Sequence, residues 1–211
     1  MKALFLKDWL LLKAQYKFYM LVYLAFGLIG LLSDGSFILG YSILITSTIV
    51  TNLIQNDEIC HWLLYADTTP LGRKHIVTQK YLFNLLLVGV SCVYVFVLQV
   101  LSGCIHGTFV AGLHDGAWMF FLYLSVGTLM TGVTLPLLYR FGTMKGRYVQ
   151  LVLFGGIAGI VAGGSLGMQM AENTGDTVAI LPLVVVALVM VTVVYPLSCA
   201  LAVRWYANRE L

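Results

Sequence analysis

QNDEICHWLLYADTTPLGRKHIVTQKY, residues 55–81, is the longest polar interruption in a chain that is otherwise mostly apolar. It mixes acids and bases with a proline and three aromatics, Trp62, Tyr65 and Tyr81. The reading of its flanks decides the fold. Upstream lie two apolar stretches, near residues 18–33 and 36–54, and downstream four more, near 82–103, 117–139, 148–168 and 178–203. A helix needs about 20 apolar residues to cross a hydrocarbon layer about 30 Å thick. Of 211 residues, 60% are hydrophobic and 10% charged, with a mean hydropathy of +0.93, against roughly 25% charged in soluble domains. The expected fold is therefore an all-α membrane protein, a single domain of six transmembrane helices over residues 1–211.

Charge placement gives the polar stretch a side. Lys2, Lys7, Lys13 and Lys17 precede the first span, and Arg73, Lys74 and Lys80 separate the second from the third. Arg140, Lys145 and Arg147 separate the fourth from the fifth, and Arg204 and Arg209 follow the sixth, which accounts for all 12 Lys and Arg. The opposite loops hold Asp34, then His106, His114 and Asp115, then Glu172 and Asp176. The positive-inside rule places both termini and residues 55–81 in the cytoplasm. The bases are scattered along one membrane face and form no patch, which argues against nucleic-acid binding.

Residues 1–17 are expected to form a separate interfacial helix, because Phe5, Trp9, Leu12 and Tyr16 share a face at helical spacing while lysines occupy others. The alternative is that they are the first turns of span one. They are not a signal peptide: Lys7, Asp8 and Lys13 break the apolar run, and no small-residue cleavage site follows. The turn Ser33, Asp34, Gly35, Ser36 joins spans one and two as a hairpin. Span two carries Thr46, Ser47, Thr48, Thr51 and Asn52. Thr48, Thr51 and Asn52 are candidates for lining a path, although interhelical hydrogen bonding explains such residues equally well.

In span five Gly155, Gly159, Gly163 and Gly167 recur every four residues. Four steps turn a helix by about 400°, so they form a slowly drifting ridge without side chains, suited to close packing within the chain or against a second copy. His106, His114 and Asp115 sit on a glycine-bearing loop that reads as a solvated outer turn and not as a metal site. Cys60, Cys92, Cys104 and Cys199 are not placed to form a disulfide framework.

The missing chemistry narrows the function. No Asp, Glu, Lys, Arg or His lies in the central part of any span, where ion-coupled transporters place their coupling group. Ser91, Ser125 and Ser198 have no acid or histidine nearby to activate them, and no catalytic residue is assigned. No G-x-x-x-x-G-K-[ST] run is present, so the chain has no P-loop of its own.

Within residues 55–81, Asn56 or Asp57 can cap a short helix whose first turn carries Asp57 and Glu58. Ile59, Trp62, Leu63 and Ala66 share its apolar face. Thr69 and Pro70 then signal the start of a second helix that continues into span three.

Here the chain resembles a known family. Asp57, Glu58 and Trp62 precede a run through Pro70, Arg73, Ile76, Val77, Lys80 and Tyr81 that reads P-x-x-R-x-x-I-V-x-x-K-Y. With the six-span layout, this resembles the permease subunits of type-2 ATP-binding-cassette exporters, especially the small bacterial ones. The resemblance implies a cytoplasmic coupling helix over about residues 57–67, between spans two and three, seated in a cleft of a separate ATPase subunit. Asp57, Glu58, His61, Trp62, Tyr65 and Asp67 would be its coupling residues. Pro70, Arg73, Lys80 and Tyr81 would anchor the start of span three, the bases at anionic headgroups. ATP and Mg would be held by that ATPase, with no cofactor or metal on this chain.

A second copy, or a related permease, would complete the path in a bacterial cell membrane. The cargo implied is an amphipathic peptide. The rival reading is a non-transporting membrane assembly, such as an immunity or regulatory protein, joined through the span-five ridge.

Overall fold

Leu4, Asp8, Tyr19 and Gly27 mark the inward face of the first helix, α1 (Lys2–Leu32), while Leu6, Leu10, Phe18, Leu21, Leu24 and Leu28 remain exposed. The computed structural model describes residues 2–32, 36–62, 73–105, 109–142, 148, 151–152, 154–156, 185 and 188–207. Among the described residues, four long helices and a shorter one carry the packing. After α1 come α2 (Ser36–Ile59), α3 (Arg73–Ile105) and α4 (Phe109–Phe141). A π-helical turn, Met190–Val194, then leads into α5 (Tyr195–Ala207). No strand occurs among the described residues.

The widened turn before α5 has a local cause. Pro196 has no N–H to offer the carbonyl four residues back, so the hydrogen-bond ladder loosens just upstream of it. α4 stops at Gly142, whose φ of 79° lets its N–H reach the Leu138 carbonyl at 2.9 Å.

The central element is α3, which packs against α1, α2, α4 and α5. Its inward positions Val77, Tyr81, Asn84, Val88, Cys92 and Val95 are almost completely buried. Its outward positions Leu82, Leu86, Val90, Val93, Val97 and Leu101 are apolar and exposed. A helix apolar on both sides, one buried and one open, suits a lipid surround. Three described stretches are long and apolar enough to cross a membrane, Leu4–Leu31, Lys74–Ile105 and Gly116–Phe141, and Val191–Tyr206 is a shorter apolar helix.

Three boundaries differ from the expected ones. Span two does not stop near residue 54 for a new helix to be capped at Asn56 or Asp57: α2 runs through both to Ile59, with Asp57 held inside the bundle by Lys7 and Lys80. Residues 1–17 are not set apart as an interfacial helix, since α1 runs unbroken and turns Trp9 and Tyr16 outward while Asp8 faces in. The outer turn expected to extend to Asp115 ends earlier, because α4 begins at Phe109. The early helix start has a packing reason: Gly112 lies against Gly103 of α3, and a Cβ on Gly112 would stand 2.9 Å from the Gly103 Cα. Most of the expected fifth span, including Gly159, Gly163 and Gly167, lies outside the described residues. Gly155 is described and has open space beside it.

Candidate functional site

Lys80 lies on the buried face of α3 that also carries Ile76, Val77, Tyr81 and Asn84, and it is only 2% exposed. Its ammonium would be costly there without partners. It has two: Nζ donates to Asp8 Oδ1 of α1 at 2.7 Å and lies 2.8 Å from Asp57 Oδ2 near the end of α2. Asp8 is 0% exposed, and its other oxygen accepts from Gln79 Nε2 at 2.9 Å. Lys7 Nζ donates to Asp57 Oδ1, lies 3.6 Å from Asp8 Oδ1 and sits 4.5 Å from the centre of the Trp62 ring. Two ammonium groups and two carboxylates thus cancel one another where three helices meet. A buried ion cluster of this kind holds only while every member is paired.

Apolar packing frames the cluster. Leu4 and Ile76 are buried beside it with Trp62 packed against them, and Tyr19, Ile49, Leu53 and Phe83 form the next layer. Beyond the cluster α2 ends in an open turn. Cys60 N–H bonds the Asn56 carbonyl at 3.0 Å and His61 N–H bonds the Glu58 carbonyl at 3.1 Å, with His61 at a φ of 50°. Ile59, Cys60 and His61 are all exposed.

Two polar networks lie further along the bundle. In the first, Tyr23 Oη is 2.5 Å from Thr46 Oγ1 and 2.9 Å from Ser91 Oγ, and Tyr94 Oη donates to the Tyr23 carbonyl at 2.7 Å, joining α1, α2 and α3. It backs an apolar cleft of about 500 Å³ bordered by Met20, Leu24, Leu28, Val90 and Leu98. In the second, Asn84 Nδ2 donates to Tyr195 Oη at 2.8 Å, and Tyr195 Oη donates to the Tyr81 carbonyl at 2.8 Å. Tyr81 Oη is 2.9 Å from Ser198 Oγ, which donates to the Gly132 carbonyl. Lipid gives helices little hydrophobic reason to associate, so such ties, each contributing about 0.6 kcal/mol and at most about 1–2, are a large part of what orients them.

The expected coupling residues divide. Asp57 is buried in the ion cluster, Trp62 is partly buried on Leu4 and Ile76, Glu58 is partly buried, and His61 is exposed. Tyr65, Asp67 and Pro70 lie outside the described residues. Arg73 begins α3.

Two of the expected anchors are corrected. Lys80 does not reach a headgroup surface, because Asp8 and Asp57 hold it inside the bundle. Tyr81 is 2% exposed and faces Tyr195 edge-on at 5.1 Å, so it belongs to the core. Of the path candidates, Thr48 and Thr51 donate to the carbonyls of Ile45 and Ser47 on their own helix, at 2.7 and 3.1 Å. Asn52 Nδ2 donates to Tyr19 Oη at 3.0 Å.

Asp8 is the member that sequence reading missed, having served only to break an apolar run. The available signal was an acid within a helix apolar enough to span a membrane, which implies a buried partner. A family model described as ABC-2 family transporter protein matches residues 3–207. No curated protein and no solved structure matched the chain.

Proposed function

Because the chain belongs to the ABC-2 family of transporter proteins, we propose that it is the permease subunit of an ATP-driven exporter, paired with a separate ATPase. The observation that carries this is the open turn at the end of α2, where Ile59 is 65% exposed and followed by exposed Cys60 and His61, directly beyond a buried ion cluster. An apolar residue displayed at a charged helix end offers a partner something to cover. The sequence has no P-loop, which gives the chain reason to take its ATP hydrolysis from another subunit.

In this reading Glu58, His61 and Trp62 belong to the contact region, and Tyr65 and Asp67 continue it. The turn and both termini face the cytoplasm of a bacterial cell. A second copy or a related permease supplies the other half of the path, the six-span arrangement includes residues 148–168, and the cargo is an amphipathic peptide. ATP and Mg stay in the ATPase. Closure of the ATPase pair moves the turn and rocks the helices between inward-open and outward-open arrangements.

The test is co-purification with a candidate ATPase, followed by its hydrolysis rate in vesicles. A stable complex whose hydrolysis is altered by Ile59→Asp or Glu58→Ala is expected. Absence of a complex, with hydrolysis indifferent to both variants, would overturn the proposal.

A further inference from the structure

The three helices at the ion cluster already meet through apolar contacts: Phe5 packs edge-on to Phe83 at 5.1 Å, and Ile49, Leu53 and Tyr19 fill the space between. Cohesion therefore does not require four charges there, and withdrawing charges from water is an expensive way to obtain it. What an ion cluster adds is registry. Apolar side chains slide past one another with little penalty, whereas moving Lys80 away leaves the two buried carboxylates of Asp8 and Asp57 sharing Lys7 alone.

Lys80 Nζ is the hub, at 2.7 Å from Asp8 and 2.8 Å from Asp57. Lys7 makes the second strut, tying Asp57 to the Trp62 ring and so reaching past the end of α2. Gln79, the residue before the hub, holds the free oxygen of Asp8. The loop end of α2 is thereby fixed to α1 and α3 by contacts with direction.

We infer that Asp8, Asp57 and Lys80 form a rigid joint that makes the adjoining ends of α1, α2 and α3 move as one body when the turn beyond Asp57 is displaced. Asp8 and Lys80 are positioning residues of coupling: they touch neither ATPase nor cargo, and they transmit what the turn receives. The inference rests on the proposed reading for the source of the displacement, while the rigidity of the joint is a property of this chain alone.

The test uses spin labels at Leu10 of α1 and Lys74 of α3, both exposed, with the native cysteines replaced. Distances are measured by pulsed electron resonance in the isolated chain and in the complex with its ATPase, nucleotide-free and trapped with ATP and vanadate. One narrow distance that is the same in both nucleotide states is expected for the parent chain and for Lys80→Arg, which keeps the charge. The combined variant Lys7→Met, Asp8→Asn, Asp57→Asn, Lys80→Met preserves size and strands no charge, since all four members of the cluster are neutral. It is expected to lose the single narrow distance in the isolated chain and to show separate distances in the two nucleotide states. A parent distance that differs between nucleotide states, a neutral variant as narrow as the parent, or Lys80→Arg behaving like the neutral variant would each overturn the joint. Failure of the ATPase to bind the parent chain would remove the proposed function, and the width of the distance in the isolated parent and neutral variant would then decide for or against the joint.

Discussion

The hydroxyl of Tyr94 on α3 occupies the space that a methyl group on Gly27 of α1 would need, and from there it donates to the Tyr23 carbonyl at 2.7 Å. Gly27→Ala must therefore displace that hydroxyl and break the bond. The expected loss is about 1–2 kcal/mol, a broken hydrogen bond plus a partly unsatisfied carbonyl. Tyr94→Phe loses the same bond but removes the clashing atom, leaving the ring carbon at 3.4 Å and Leu98 Cδ1, the far end of a flexible side chain, at 3.2 Å. The double variant should thus cost clearly less than the sum of the two single ones, read as unfolding midpoints in detergent. Strict additivity would show that the two residues do not compete for one volume.

Lys80→Met alone leaves the carboxylates of Asp8 and Asp57 with only Lys7 between them, one positive charge against two negative ones, and Asp8 without its nearer cation. A loss of about 3–5 kcal/mol is expected, the range for breaking a buried pair from one side. Neutralising Lys7, Asp8, Asp57 and Lys80 together should recover most of that loss, because no charge is then stranded. The measurement is the unfolding midpoint at two ionic strengths. Little salt dependence is expected for the parent, since a cluster with Asp8 at 0% and Lys80 at 2% exposure is poorly screened.

His61 holds a φ of 50° at the end of α2, a conformation that non-glycine residues adopt at a cost of about 1–3 kcal/mol. His61→Gly removes that strain but loosens the unfolded chain, so its net effect on stability is expected to stay within about 1 kcal/mol. His61→Val, branched at Cβ, should be worse than either and should disturb the turn that displays Ile59. Equal stability of the glycine and valine variants, by thermal unfolding, would contradict the left-handed turn.

How far these features could be read in advance depended on the range of the interaction behind them. Apolar runs are local, so the positions of α3 and α4 followed from the sequence to within several residues. The helix start expected at Asn56 or Asp57 is not there, because α2 continues through both to Ile59 and turns only at Cys60 and His61. Lys80 shows the limit. Counted by itself it is a base beside a span, and the surface is where such a base normally sits. Its burial depends on Asp8, 72 residues away, and on Asp57, contributed by a different helix. In α2, the density of Thr46, Ser47, Thr48, Thr51 and Asn52 was legible, but which partner each finds depends on where α1 and α3 pack. Tyr19 and Ser91 became those partners only in three dimensions.

Glycines provide the sharpest contrast between what a residue type suggests and what its surroundings require. Gly112 stands against backbone, with Gly103 Cα at 2.9 Å and the Gln99 carbonyl at 3.3 Å from a Cβ placed there. No rotamer change can relieve that clash, so Gly112→Ala has to push α3 and α4 apart. The expected cost is about 1–3 kcal/mol, that of overpacking a filled interface. Gly89, on the same α3 helix, has nothing within 4 Å of the corresponding position. Gly89→Ala should instead raise stability by about 0.5–1 kcal/mol, because alanine restricts the unfolded chain without meeting a neighbour. Opposite signs for the two substitutions, measured under one set of conditions, are the expected result. A Gly112→Ala variant as stable as the parent would mean that α3 and α4 do not cross at Gly103.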